Sequence, residues 1–196
     1  MPRKKSIKKS ASGFIGQATE LEAFVGTDVT SLSDLQQSWC YEYAIIKLYR
    51  EFEELVLSAI VGAINNDSTT ISQSTGVAFP KHITDEVCEY LVLGGGYFDF
   101  KGRDGLIKTL KKYVPTTHYL VTIVQQAKYR QALERLSALR NYAAHQSLQS
   151  KRGALAAVGQ QKMGSAGSWL KTQGRYAAIS TKLRELAQEV HDAAPY

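Results

Sequence analysis

One segment carries residue types and spacing that could do chemistry: Leu139-Arg140-Asn141-Tyr142-Ala143-Ala144-His145-Gln146. In a helix, Asn141 and His145 are four residues apart and share a face. Arg140 falls about 140° from His145 around the axis, so all three can border one groove without being stacked neighbours. Ala143 and Ala144 are small enough to admit another helix. Histidine titrates near neutrality and can move protons. Arginine stays charged and can hold phosphate oxygens through a bidentate fork, stabilising a pentacoordinate transition state. Asparagine can orient the phosphate or the imidazole. The trio suits cleavage of a phosphodiester without a metal, because the 2′-hydroxyl of RNA is a built-in nucleophile. The same residues also fit a plainer role, an exposed arginine and a histidine whose positive charge favours a helix C-terminus.

Other common sites are missing from the pattern. There is no P-loop and no Gly-x-Ser-x-Gly nucleophile elbow. Gly94-Gly95-Gly96 has no strand before it and lacks dinucleotide-binding spacing. His82, His118, His145 and His191 are far apart, and none has a His or Cys at metal-ligand spacing. No metal or cofactor is therefore expected.

The elements that must position the trio read as helices. A stripe of Trp39, Tyr43, Ile46, Tyr49, Phe52, Val56, Ala59 or Ile60, and Ala63 predicts a long helix, capped by Ser31 or Ser33 and ending near Asn65–Asn66. Residues 66–83 read as a long loop. Thr84 caps a helix from Asp85 to Leu93 that Gly94-Gly95-Gly96 stops. Tyr97-Phe98-Asp99-Phe100 reads as a buried aromatic connector, followed by a helix from Asp104 to Tyr113. The motif helix is expected over 118–148, a mobile loop over 150–167, and a last helix from a Ser168 cap through Val190. No segment reads as strand. The predicted fold is all-α, a bundle of four to five helices. Residues 20–196 form one domain, and residues 1–19, rich in Lys, Ser and Gly, form a basic flexible tail.

The chain has 196 residues and a net charge of +6. Length alone allows a core without staples. Cys40 and Cys88 sit in apolar-periodic segments and read as buried reduced thiols. No run of 18 apolar residues exists, so no transmembrane helix is expected. The basic residues Arg3, Lys4, Lys5, Lys8 and Lys9 precede no apolar core of a signal peptide, which points to the cytoplasm. The charge is unevenly spread. Residues 20–99 hold 13 acids and 3 bases, whereas 101–152 hold 11 bases and 2 acids. Such a dipolar chain could attract RNA with one half and a second copy of itself with the other, or simply mix its charges over a solvated surface.

The segment from Arg140 to His145, with Asn141 directly after the arginine, resembles the hallmark of HEPN domains. The context is similar too. Leu48-Tyr49-Arg50-Glu51-Phe52-Glu53 resembles the aromatic–Phe–Glu first helix of that family. Tyr97-Phe98-Asp99-Phe100-Lys101 resembles stand-alone members of the RiboL-PSP type, and the terminal Ser168-Trp169-Leu170 helix is compatible with that group. The resemblance covers about residues 30–192. It implies an all-α bundle and a metal-independent endoribonuclease acting as a homodimer, with the motifs of both copies facing one cleft. Products would be a 2′,3′-cyclic phosphate and a 5′-hydroxyl. His145 would move protons, Arg140 bind the scissile phosphate and Asn141 orient it.

The resemblance further implies an acidic supporting residue in the first helix. Glu53 is the choice because it follows Phe52, with Glu51, Glu54 and Arg50 as rivals. Tyr142 could stack on a base or pack in a helix interface. One toxin branch carries a modified Tyr two residues after the motif His; here that position is Ser147. A toxin or anti-phage effector role, with an antitoxin or other defence-system protein as partner, is the implied setting. The competing expectations are a non-catalytic dimeric module that binds nucleotide or RNA, and a helical adaptor with scattered charges.

Overall fold

The computed structural model describes residues 5–80 and 83–195, and every regular element among them is helical. His82, Arg3 and Lys4 lie outside the described residues. The axis of the fold is α2 (Asp34–Asn66), 33 residues and about 50 Å long. Ser33 and Gln36 close a reciprocal capping box at its start. From Leu55 to Asn65 every residue is buried, so this half runs through the middle of the molecule.

The first departure from the sequence reading is α1 (Ile7–Ala23), where a flexible tail was expected. Ser6 caps it, and Ile7, Ala11, Phe14, Ala18 and Leu21 form a buried stripe at steps of three and four. Small alanines make that stripe weak in hydropathy but allow close approach to α2 and to α10 (Arg175–Ala193). The Phe14 and Phe52 rings meet edge-on at 5.6 Å. A π-helical turn, Phe24–Asp28, continues α1.

Between α2 and the motif lie α3 (Thr69–Thr75), α4 (Asp85–Leu93), α5 (Gly102–Tyr113) and α6 (Tyr119–Gln125). α3 falls inside the stretch expected to be loop. In the connector before α5, Phe100 is buried between Tyr49 and Phe52. Tyr97, expected to be buried, is fully exposed.

The single helix expected over 118–148 is broken. Gln126 has extended backbone and separates α6 from α7 (Ala127–His145). Distant side chains brace the break, one by satisfying carbonyls freed there and one by holding side chains around it. The Arg103 guanidinium donates to the Val124 and Gln125 carbonyls. Glu189 accepts from the side chains of Gln126, Lys128 and Tyr129. α8 (Leu148–Val158) then occupies part of the expected mobile loop, opened by a capping box of Ser147 and Ser150. The last expected helix is two, α9 (Ala166–Leu170) and α10, parted by left-handed Gln173 and Gly174. The described residues thus hold ten α-helices rather than four or five.

Gly167 of α9 lies so close to α2 that a Cβ there would sit 1.9 Å from the Ser38 carbonyl oxygen. One continuous buried cluster extends from Ile7 to Ala194. Among the described residues, no helix is long and apolar enough to cross a membrane. If α1 belongs to this core, Phe14→Ala should cost about 3 kcal/mol of stability in urea unfolding. A loss below about 0.5 kcal/mol would mean that residues 7–23 are only loosely attached.

Candidate functional site

The motif occupies the last two turns of α7. Arg140, Asn141 and His145 all line one open groove of about 850 Å³, together with Lys101, Glu134 and Ser147. His145 is the last helical residue and is exposed. The chain turns sharply behind it, with Gln146 in the left-handed region at φ 48°. This places the imidazole at the C-terminal end of α7, facing the groove rather than the core.

Arg140 is held from below by α2. Its guanidinium carbon lies 4.1 Å from the centre of the Tyr49 ring. Nη2 is 3.9 Å from Oε2 of Glu53. Nη1 donates to Oδ1 of Asn141 at 2.9 Å. Tyr49 and Glu53 are one helical turn apart, so a single face of α2 supplies both the ring and the carboxylate. Tyr49 is fixed in turn, its hydroxyl donating to Asp99 Oδ1 at 2.8 Å and to the Phe100 carbonyl at 2.9 Å. Asn141, with its oxygen engaged, keeps its amide NH₂ available as a donor in the groove.

Glu53 is the unusual group. Burial pushes its carboxyl from the ordinary 4.5 up to about 7; Arg140 opposes the rise and Asp99 adds to it. Its Oε1 is buried and has no hydrogen-bond partner among the described residues. Burial and the bond to Asp99 likewise hold the Tyr49 phenol well above its usual range.

The other candidates are placed differently. Glu51 pairs with Lys47 at 2.6 Å, Glu54 lies near Ser58, and Arg50 is exposed. Tyr142 is buried, and its hydroxyl donates to the Gly164 carbonyl at 2.8 Å. That bond ties α7 to the segment before α9, so of the two roles open for Tyr142 its placement matches packing in a helix interface. Tyr49 and Asp99 were not singled out for the site in the sequence; their only signals were a stripe position and a place in the aromatic connector. His118 caps α6 by accepting from Leu120 N–H, and His191 lies beside Asp192. Among the described residues no three His, Cys, Asp or Glu side chains group as metal ligands. Burial pushes the Cys88 thiol up to about 11, and Cys40 is partly exposed.

The apolar stripe expected to face the core turns outward in the first half of α2. Leu35, Trp39 and Tyr43 are 57–60% exposed. Trp39, Ile46 and Glu53 are seven residues apart, so this stripe and the carboxylate under Arg140 lie along the same side of the helix. Leu35 and Trp39 also border a groove shared with Gln146, the neighbour of His145.

No family model matches the chain, and no curated protein or solved structure matches it either.

A carboxyl whose folded-state value is raised stabilises most below its unfolded value, and the contribution is lost as pH rises through the folded one. Glu53 should therefore make stability fall between pH 4.5 and about 7, by at most about 1.4 kcal/mol per pH unit. Glu53→Gln should remove that slope in urea titrations across the window. Identical slopes in both proteins would show that Glu53 carries an ordinary carboxylate.

Proposed function

We propose that this chain is a HEPN-like, metal-independent endoribonuclease that works as a homodimer. The observation that carries the reading is the shared groove of Arg140, Asn141 and His145, with Arg140 fixed against Tyr49 and Glu53. Arg140 supplies a fixed positive charge for the scissile phosphate. Asn141 donates to a phosphate oxygen and sets its orientation. His145 takes the proton from the 2′-hydroxyl as that oxygen attacks phosphorus. The bond to the 5′-oxygen breaks, and that oxygen receives a proton from an acid, leaving a 2′,3′-cyclic phosphate and a 5′-hydroxyl.

One histidine cannot be base and acid in the same step, so the second proton donor is His145 of a second copy. The exposed Leu35–Trp39–Tyr43 stripe supports that assembly, because it lies on the side of α2 that holds Arg140. A two-fold contact there brings two grooves together. The biological setting proposed is a cytoplasmic growth-inhibiting toxin or anti-phage effector, restrained or triggered by a partner protein. The alternative is a dimeric module that binds RNA or nucleotide without cutting. The contacts Arg140 already makes within its own chain favour that alternative, since they also knit α7 to α2.

His145→Ala and Arg140→Ala should each slow RNA cleavage by at least about 100-fold while leaving the circular dichroism unchanged. Wild-type cleavage should persist in EDTA and leave cyclic-phosphate ends. Binding of RNA with no cleavage by the wild type would select the non-catalytic module. Trp39→Glu should convert a dimer to a monomer in sedimentation analysis; an unchanged sedimentation coefficient would remove the stripe as the contact.

A further inference from the structure

A second groove of about 610 Å³ lies along α5, lined by Arg103, Asp104, Ile107, Lys108, Lys111 and Gln125. The motif groove reaches Lys101 and Gly102, whose chain neighbours Arg103 and Asp104 line the second groove. Lys101, Lys108 and Lys111 are exposed, and none forms an ion pair among the described residues. Lys47, Lys128, Lys171 and Lys182 each meet a carboxylate, whereas Lys8, Lys9, Lys112, Lys151 and Lys162 do not among the described residues. Three unpaired lysines thus lie along α5 next to the motif helix, with Asp104, itself largely exposed, as the acid in the α5 groove.

The basic helix is fixed relative to Arg140. Gly102 N–H donates to Ser137 Oγ at 3.3 Å, and Arg103 N–H donates to Glu134 Oε1 at 3.1 Å. Ser137 and Glu134 belong to α7, the helix that bears the motif. Gly102 sits at φ +63°, and a Cβ there would come within 2.5 Å of Glu134 Oε2, so the docking requires glycine. The Arg103 side chain is spent on the α6 carbonyls. Its role is structural, and the lysines are the groups free to bind. From Lys101 to Lys111 the helix rises about 15 Å. That length spans on the order of four phosphates of a stacked strand.

We propose that the α5 groove is a second binding site, for the sugar-phosphate backbone of single-stranded RNA leaving the Arg140/His145 groove. It selects substrates several nucleotides long and contributes no base readout, because lysines bind phosphates as point charges. The proposal rests on the ribonuclease reading for its biological purpose, but its test does not depend on cleavage.

The probe is a fluorescein-labelled 2′-O-methyl oligouridine 12-mer, which cannot undergo internal attack, read by anisotropy across a salt series. Lys108→Glu/Lys111→Glu should weaken binding by roughly tenfold or more. Loss of two phosphate contacts should also lower the slope of log affinity against log salt by about 1.4. Lys182→Glu, on α10, is the charge control and should change neither value. Equal affinity and slope for wild type and the α5 variant would overturn the site, even if unmodified RNA is still cut. Weakened binding in the variant, with no cleavage of unmodified RNA by wild type, would uphold this site and overturn the ribonuclease reading.

Discussion

The guanidinium of Arg140 sits over the Tyr49 ring, with the Glu53 carboxylate beside it, and the arrangement of the molecule follows from that contact. A planar cation over an aromatic face gains about 1–2 kcal/mol when partly desolvated. The larger effect is positional. α7 must cross α2 where Tyr49 and Glu53 share a face, and Tyr49 must in turn find Asp99 and the Phe100 carbonyl. The connector that carries those two groups leads directly into α5, whose first amides are held by Glu134 and Ser137 of α7. Three segments distant in sequence are thus closed into one circuit around a single arginine.

Glu53 gives that circuit its electrostatic character. A buried carboxylate with one unpartnered oxygen is costly when charged. It relieves the cost by binding a proton near neutrality. When it does so, the Arg140 charge is no longer offset from below and is fully expressed in the groove. Loss of Arg140 would remove the contact that seats α7 on this face of α2 and leave Glu53 without its cation. A carboxyl stranded by that loss takes up a proton rather than staying buried and charged.

The parts of this structure that were legible in the sequence are those fixed by local chemistry. Ser33 and Thr84 mark the starts of α2 and α4, and their ends follow from Asn66 and Gly94. The motif residues share a groove because their spacing on one helix dictates it. What was not legible depends on distant partners. The break at Gln126 is supported from afar: Arg103 satisfies carbonyls it frees, and Glu189 holds the Gln126 side chain. Residues 1–19 have the Lys/Ser/Gly-rich composition of a tail, and small Ala11 and Ala18 hide the stripe that α1 buries. Trp39 and Tyr43 kept the helical period of a core stripe, but periodicity identifies a face and not what covers it. At the site, adjacency to Phe52 favoured Glu53 over Glu51 and Glu54. Tyr49 and Asp99, fifty residues apart, had no local signal for their bond.

The most direct test of the central contact is carbon-13 NMR titration of the Glu53 carboxyl in the wild type and in Arg140→Gln. The account predicts a wild-type midpoint near 7. In Arg140→Gln the midpoint should move higher, because the cation that favours the carboxylate is gone. A midpoint near the ordinary 4.5, or one that Arg140→Gln leaves unmoved, would contradict the claim that Arg140 is seated over a buried acid.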